Sequence, residues 1–492
     1  MGGERWWNRK ISARKAEWVL FALALVAVLL VPLPRYGFLP DHHGFLSSHG
    51  LTLAAHLSSE HHFLMYNRIV ADSVGVEHYE AYNRFSIVPF ALIRCAMEFG
   101  GEDLFSEYAC AQKLMLLFML GAMFCAFLAL KRLRGNAWLA LTTVMLAFSS
   151  YYFVYYGDMV FNDMPSLFGC MLVFHGLVTH LQENRPKQLL AKSLVAVAMG
   201  WQVYAMLLPS LAVLWWKNRR TKENALLAAV PVVFGALLLA FNLANECIAT
   251  QKPLMETSTV KSILFRFGDA NDDRYAPWRE ELRNAAFLKE QLWRMGTSAI
   301  PGATNMALAE VNVFAVRHSR LGALLSPFSC AGVAFILIAL GFVFRKVPRF
   351  PALSLLFLAF CWTLPMKHFT AFHDFQSLFF VGIPIVLYDG LLGMLPRKKV
   401  LFMTFAVVAL ISMGVSWNLE YLQKAEMQAD SGAALRNLQR AADEIRDNPE
   451  AVVFVDGDYT TIGGAHHAVA FALPNAVFTN DSTRAQYILT SP

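Results

Sequence analysis

Apolar runs of helical length alternate with short polar connections along most of the chain. They fall at about 17 to 34, 109 to 130, 137 to 156, 164 to 182, 189 to 202, 203 to 216, 224 to 244, 321 to 344, 351 to 366, 375 to 395 and 400 to 418. A helix needs roughly 20 residues to cross the hydrocarbon of a bilayer. Lipid offers the backbone no hydrogen-bond partners, so each run must satisfy its own N–H and C=O groups as a helix, and the alternation of barrel strands is absent. The pattern predicts an all-α polytopic membrane fold of about eleven transmembrane helices. The adjoining pair from 189 to 216 reads as a bent hairpin around Gly200, Trp201 and Gln202.

Charge orients the runs. Arg5, Arg9, Lys10, Arg14 and Lys15 precede the first one and place the N-terminus on the cytoplasmic side. Pro32, Pro34 and Arg35 follow it where the small residues of a cleavage site would stand, so it reads as an uncleaved helix rather than a signal peptide. Lys131, Arg132 and Arg134; Arg185, Lys187 and Lys192; Lys217, Arg219, Arg220 and Lys222; Arg345, Lys346 and Arg349; and Arg397, Lys398 and Lys399 then share one side. The other side receives two long loops, about 35 to 108 and 245 to 320, two short ones, 157 to 163 and 367 to 374, and the tail after 419. Residues 1 to 419 are therefore expected to form the membrane domain.

Residues 420 to 492 are expected to form a small extracytoplasmic α/β domain, with a polar helix from 420 to 447 and short strands at Ala451 to Val455 and Ala485 to Thr490. A unit of roughly 70 residues is near the lower limit for folding alone, so it is expected to rest on the large loops. The compact loops and charge bias lean toward a bacterial inner membrane with a periplasmic C-terminus.

Composition supports the membrane reading. A chain of 492 residues that is 56% hydrophobic and 16% charged is too apolar for a soluble core of ordinary size. Its net charge of +6 sits mainly in short connections, as a topology signal, and implies no nucleic-acid partner. The seven cysteines show no CxxC pair, so neither a disulfide framework nor a zinc knuckle is indicated. No repeat and no inverted symmetry between halves is visible.

Candidate chemistry gathers on the outer side. Asp41 stands just beyond the first run, where it could act as general base on an acceptor hydroxyl or serve as a helix N-cap. Seven of the fourteen histidines follow it closely, and His42, His49 and His56 recur every seven residues on one helix face. That spacing separates neighbours by roughly 10 Å, too far for one ion, and marks an interfacial polar face; a metal held by Asp41 with one histidine, such as His42, is the other reading. Tyr82 and Arg84 precede the apolar stretch ending near Met97, and Arg84 offers either a fork of donors for a phosphate or a cation snorkelling to lipid. The connection Gly157 to Pro165 carries Asp158, Asn162 and Asp163, and Pro165 puts Asp163 at the N-terminal end of the following helix. The turn at 367 to 376 holds Lys367, His368 and His373. Arg266 belongs to a charged cluster with Asp269, Asp272, Asp273 and Arg274, which reads as an acceptor or donor contact or as a solvated surface.

From about 35 to 245 the order of these features resembles the GT-C class of membrane glycosyltransferases, especially the protein O-mannosyltransferase and lipid A aminoarabinose transferase branch. The features are Asp41 in the first external loop, Ile87, Val88, Pro89 and Phe90 as a short proline-containing segment, Glu107 to Phe118 opening the next helix, the basic turn Lys131 to Gly135, and Tyr156 to Phe168 as a second acidic motif. The resemblance implies inverting transfer of a sugar from a polyprenyl-phosphate carrier to an acceptor on the extracytoplasmic face. It implies Asp41 as base, Arg84, Lys367, His368 and His373 on the departing lipid phosphate, and Asp163 orienting the site or helping to hold a divalent cation, with no other bound cofactor. The protein, glycan or lipid nature of the acceptor is left open. A non-enzymatic carrier or flippase is the competing class, and it should place ionisable residues near the bilayer midplane, where this chain has few, with His175 and Gln202 as mild exceptions.

Overall fold

The computed structural model describes residues 42–72, 74–101, 103–217, 222–266, 283–299, 327–343, 348–371, 373–395, parts of 401–411, 432–448, 450–456 and 465–490. Asp41, the first expected span and the cluster 269 to 274 lie outside them. Among the described residues four helices are long and apolar enough to cross a membrane: Leu104–Arg134, Asp163–Glu183, Ala225–Thr250 and Asp374–Met394. Shorter apolar helices cover Ala137–Phe148, Val203–Lys217 and Arg349–Thr363.

Local signals explain most boundaries. The Asp103 side chain accepts from the Ser106 amide to open Leu104–Arg134, and Gly135 closes it at φ 63°, a left-handed cap that glycine adopts without a Cβ penalty. Asn136 then caps the next helix through the amides of Trp138 and Leu139. The expected run from 137 to 156 is broken: it ends at Phe148, and a second short helix, Tyr151–Tyr156, follows Ser149 and Ser150. Ser149 Oγ donates to the Leu146 carbonyl at 2.9 Å, a local side-chain bond to the backbone that hydropathy does not register. The bend between 189 and 216 occurs as expected, with Pro186–Met199 ending at Gly200 and Val203–Lys217 starting after Gln202.

At one end of the bundle Arg134 closes a two-pronged pair with Asp389, Nε to Oδ1 at 2.7 Å and Nη2 to Oδ2 at 2.5 Å. Arg132 meets Glu183. Two of the basic residues thus tie helix ends together.

The first long loop and the tail together form a five-stranded sheet in the order β2-β1-β4-β3-β5. Strands β1 (Tyr66–Ala71) and β2 (Glu77–Ala81) form an antiparallel hairpin inside the first long loop. The others come from the tail: β3 (Val452–Asp456), β4 (Val477–Thr479) and β5 (Tyr487–Thr490), paired in parallel. Ile69, Val70 and Ala71 pair with Val477, Phe478 and Thr479, so tail and loop share one sheet. His56 fastens the junction, its Nδ1 2.8 Å from the Tyr66 carbonyl and its Nε2 2.7 Å from that of Pro474.

The histidine face is corrected by the structure. His49 and His56 are buried, as is His43, and they are packed into protein rather than laid along an interface. His49 stands edge-on to Tyr82 at 4.2 Å and His56 stacks on Tyr66 at 4.0 Å. Their helix, His42–Ala55, is covered by the 157 to 163 connection and by the tail helix Ala465–Ala472, so a heptad spacing that suits an interface here suits a buried seam.

Contact along that seam is close. A Cβ placed on Gly50 would lie 2.0 Å from the Val160 carbonyl oxygen, and the Val160 amide donates to Ser47 Oγ at 3.1 Å. Gly50→Ala is therefore expected to destabilise the fold by about 1–3 kcal/mol, the usual effect of overpacking. Thermal unfolding in detergent measures this, and an unchanged midpoint would contradict the packing.

Candidate active site

Four chain segments meet at one end of the bundle: the 81 to 86 loop, the 200 to 202 bend, the start of Asp163–Glu183, and the 3-10 helix Asp374–Val381. The first is held by its backbone. Trp201 Nε1 donates to the Arg84 carbonyl at 2.9 Å, Asn242 Nδ2 to that of Phe85 at 2.6 Å, and Ser258 Oγ to that of Ala81 at 2.7 Å. Ser86 Oγ reaches the Ala198 carbonyl at 2.6 Å. A loop fixed from several segments gives Arg84 a defined station, with its guanidinium 4.1 Å from the Tyr82 ring centroid and its Nε buried with no acceptor among the described residues.

Beside it opens a groove of about 440 Å³, bordered by Phe85, Trp201, Tyr204, Leu239, Trp362 and Phe369. Its lining is almost wholly apolar apart from Arg84, Gln202 and Arg266. Arg266 lies 4.2 Å over the Phe369 ring. An apolar trough bordered by two guanidinium groups suits an amphiphile with an anionic head, whose phosphate or carboxylate oxygens match the guanidinium fork.

Asp163 sits behind the groove. It is 1% exposed and opens its helix as the sequence predicted, but its carboxylate is not spent on capping. Gln376 Nε2 donates to Asp163 Oδ1 at 2.7 Å, and Trp362 Nε1 donates to Gln376 Oε1 at 2.7 Å. Asp163 Oδ2, both amide atoms of Asn162 and Gln202 Oε1 are buried with no hydrogen-bond partner among the described residues. Buried polar atoms in this condition are uncommon, and their concentration marks a place built for a guest. The bend matters here because a Cβ on Gly200 would lie 1.8 Å from Ser166 Oγ and 2.8 Å from Gln202 Oε1. Only glycine lets the two helices approach so closely.

The remaining candidates are placed differently. Asp158 is 3% exposed and committed to structure, with His43 Nε2 at 3.0 Å from Oδ1 and Gln112 Nε2 at 3.1 Å from Oδ2. His42 is the first residue of the helix His42–Ala55 and stands directly before the buried His43. Lys367 donates to Asn284 Oδ1 at 2.7 Å, and partial burial holds its ammonium below the usual lysine range. Lys367, His368 and His373 are not among the residues bordering the groove; the His373 ring packs behind Phe369 at 4.5 Å.

Sequence reasoning included Gln376 in the 367 to 376 turn without assigning it a role, and it missed Trp362 and Arg294. Arg294 is buried and donates to the carbonyls of Thr370 at 2.7 Å, Ala371 at 3.1 Å and His373 at 3.3 Å, clamping the turn before Asp374. Its signal was a lone arginine on the amphipathic helix Asn284–Ala299. Among the described residues no three His, Cys, Asp or Glu side chains gather to hold a metal ion.

No protein-family model matches the chain, and no curated protein does. Among solved structures it is similar to the archaeal oligosaccharyltransferase AglB from Archaeoglobus fulgidus in complex with an inhibitory peptide and a dolichol-phosphate, at 14% identity and a TM-score of 0.48. That alignment covers 95% of this chain and 65% of the archaeal one, so this chain spans less than two thirds of its length. It is also similar to ArnT from Cupriavidus metallidurans in the apo state, at 13% identity and a TM-score of 0.43, over 95% of this chain and 86% of that one.

Proposed function

We propose that the protein is a membrane glycosyltransferase that moves a sugar from a polyprenyl-phosphate donor to an acceptor on the extracytoplasmic face, with inversion. The observation that carries this reading is the apolar groove with Arg84 and Arg266 at its border and a hydrogen-bonded path to a buried carboxylate. The prenyl chain occupies the groove and its phosphate meets the guanidinium groups, where charge grows as the sugar departs. Asp163 orients the reacting groups, and Asp41, two positions ahead of the buried His43, takes the proton of the acceptor hydroxyl as the new C–O bond forms and the bond to phosphate breaks. Lys367, His368 and His373 do not border the groove, so the phosphate is left to Arg84 and Arg266. No step is routed through a metal ion. The setting that fits is a bacterial inner membrane with the site on its periplasmic side.

Arg84→Leu is expected to weaken binding of decaprenyl phosphate by about ten- to hundredfold, the worth of one charged hydrogen bond. Titration of purified protein in detergent measures it. Unaltered affinity, or transport of the lipid across vesicles with no turnover of a sugar donor, would sink the reading.

A further inference from the structure

The path from groove to carboxylate runs through two side chains with fixed polarity. An indole N–H can only donate, so Trp362 must face the carbonyl oxygen of the Gln376 amide. The amide cannot then flip, and its NH2 group must face Asp163 Oδ1. Trp362 borders the groove, whereas Gln376 and Asp163 do not. Gln376 is 3% exposed and stands in the 3-10 helix Asp374–Val381, just after the segment whose Thr370, Ala371 and His373 carbonyls Arg294 holds. The Tyr156 hydroxyl donates to Asp374 Oδ2 at 2.6 Å and holds the start of that helix. The backbone leading into Gln376 is thus tied at two points, and the member of the chain that reaches the groove is Trp362. One oxygen of Asp163 is thereby fixed while Oδ2 stays without a partner among the described residues.

We propose that Trp362 and Gln376 are positioning residues that couple occupancy of the groove to the orientation of Asp163: lipid seated against the indole sets the amide, and the amide sets which carboxylate oxygen is offered to the reaction. This rests on the groove being the seat of the lipid phosphate. It makes Gln376 a residue that acts on turnover without touching donor or acceptor.

The test uses the full chain in lipid nanodiscs, with decaprenyl phosphate as the binding probe and a decaprenyl-phosphate sugar as donor. Gln376→Leu should bind decaprenyl phosphate within about twofold of wild type yet lose turnover by about tenfold or more, a fall in kcat with KM held. Trp362→Phe, which keeps an aromatic wall but removes the donor, should lose turnover in the same direction. Gln376→Glu gives the distinguishing signature. A carboxyl there must share a proton with Asp163, so activity should recover as pH falls and vanish as that proton leaves on raising the pH, a titration the leucine variant lacks. Wild-type turnover in Gln376→Leu, or a glutamate variant with an unchanged pH profile, would overturn the coupling while leaving the groove's role intact. Failure of wild-type protein to bind decaprenyl phosphate would overturn the groove's role and the coupling together.

Discussion

Replacing Asp163 with asparagine is expected to lower sugar transfer by at least about a hundredfold while leaving the protein folded, the scale seen when one preorganised electrostatic contact is removed from a reaction centre. The substitution is nearly isosteric, and a carbonyl oxygen can still accept from Gln376, whose amide is held in place by Trp362. What is lost is the negative charge and the partnerless Oδ2. Because burying an uncompensated carboxylate is costly, the variant should melt at the same temperature as wild type or higher. Initial transfer rates and thermal unfolding, measured on one preparation, separate the two effects. Full activity in Asp163→Asn would remove this residue from the mechanism.

The second large effect concerns stability. Asp158→Ala leaves the His43 ring and the Gln112 amide buried without their shared acceptor, and each buried donor left unsatisfied costs about 1–3 kcal/mol. Three segments then lose their common tie: the helix His42–Ala55, the helix Leu104–Arg134 and the connection leading to Asp163. Asp158→Asn keeps an acceptor and should cost much less, on the order of 1–2 kcal/mol. Expression level and midpoint of unfolding in detergent report both. Equal behaviour of the alanine and asparagine variants would show that hydrogen bonding at this position does not hold the fold.

Much of this was legible in the sequence, for identifiable reasons. Hydropathy and charge act along one dimension, and they located Asp163 at a helix start and the bend at Gly200. They also set Arg132 and Arg134 on one side, where both pair with acids from other helices. Contacts across the bundle left weaker traces. Trp362 and Gln376 are neutral side chains in or beside apolar runs, and nothing in their spacing announces that an indole faces an amide. The histidines misled because a heptad repeat reports a shared helix face but not what covers it. Two carboxylates in one short connection looked like a pair, yet Asp158 bonds to His43 and Gln112 while Asp163 bonds to Gln376. Sequence distance alone does not separate a structural acid from one reserved for chemistry.

The five-stranded sheet has a consequence for biogenesis. Its two halves are far apart along the polypeptide, the bridge from His56 to Pro474 alone joining positions 418 residues apart. Until β4 has been synthesised, the edge of β1 that pairs with it stays open. A nascent chain therefore makes all four of the long apolar helices described above before β3, β4 and β5 can close the sheet.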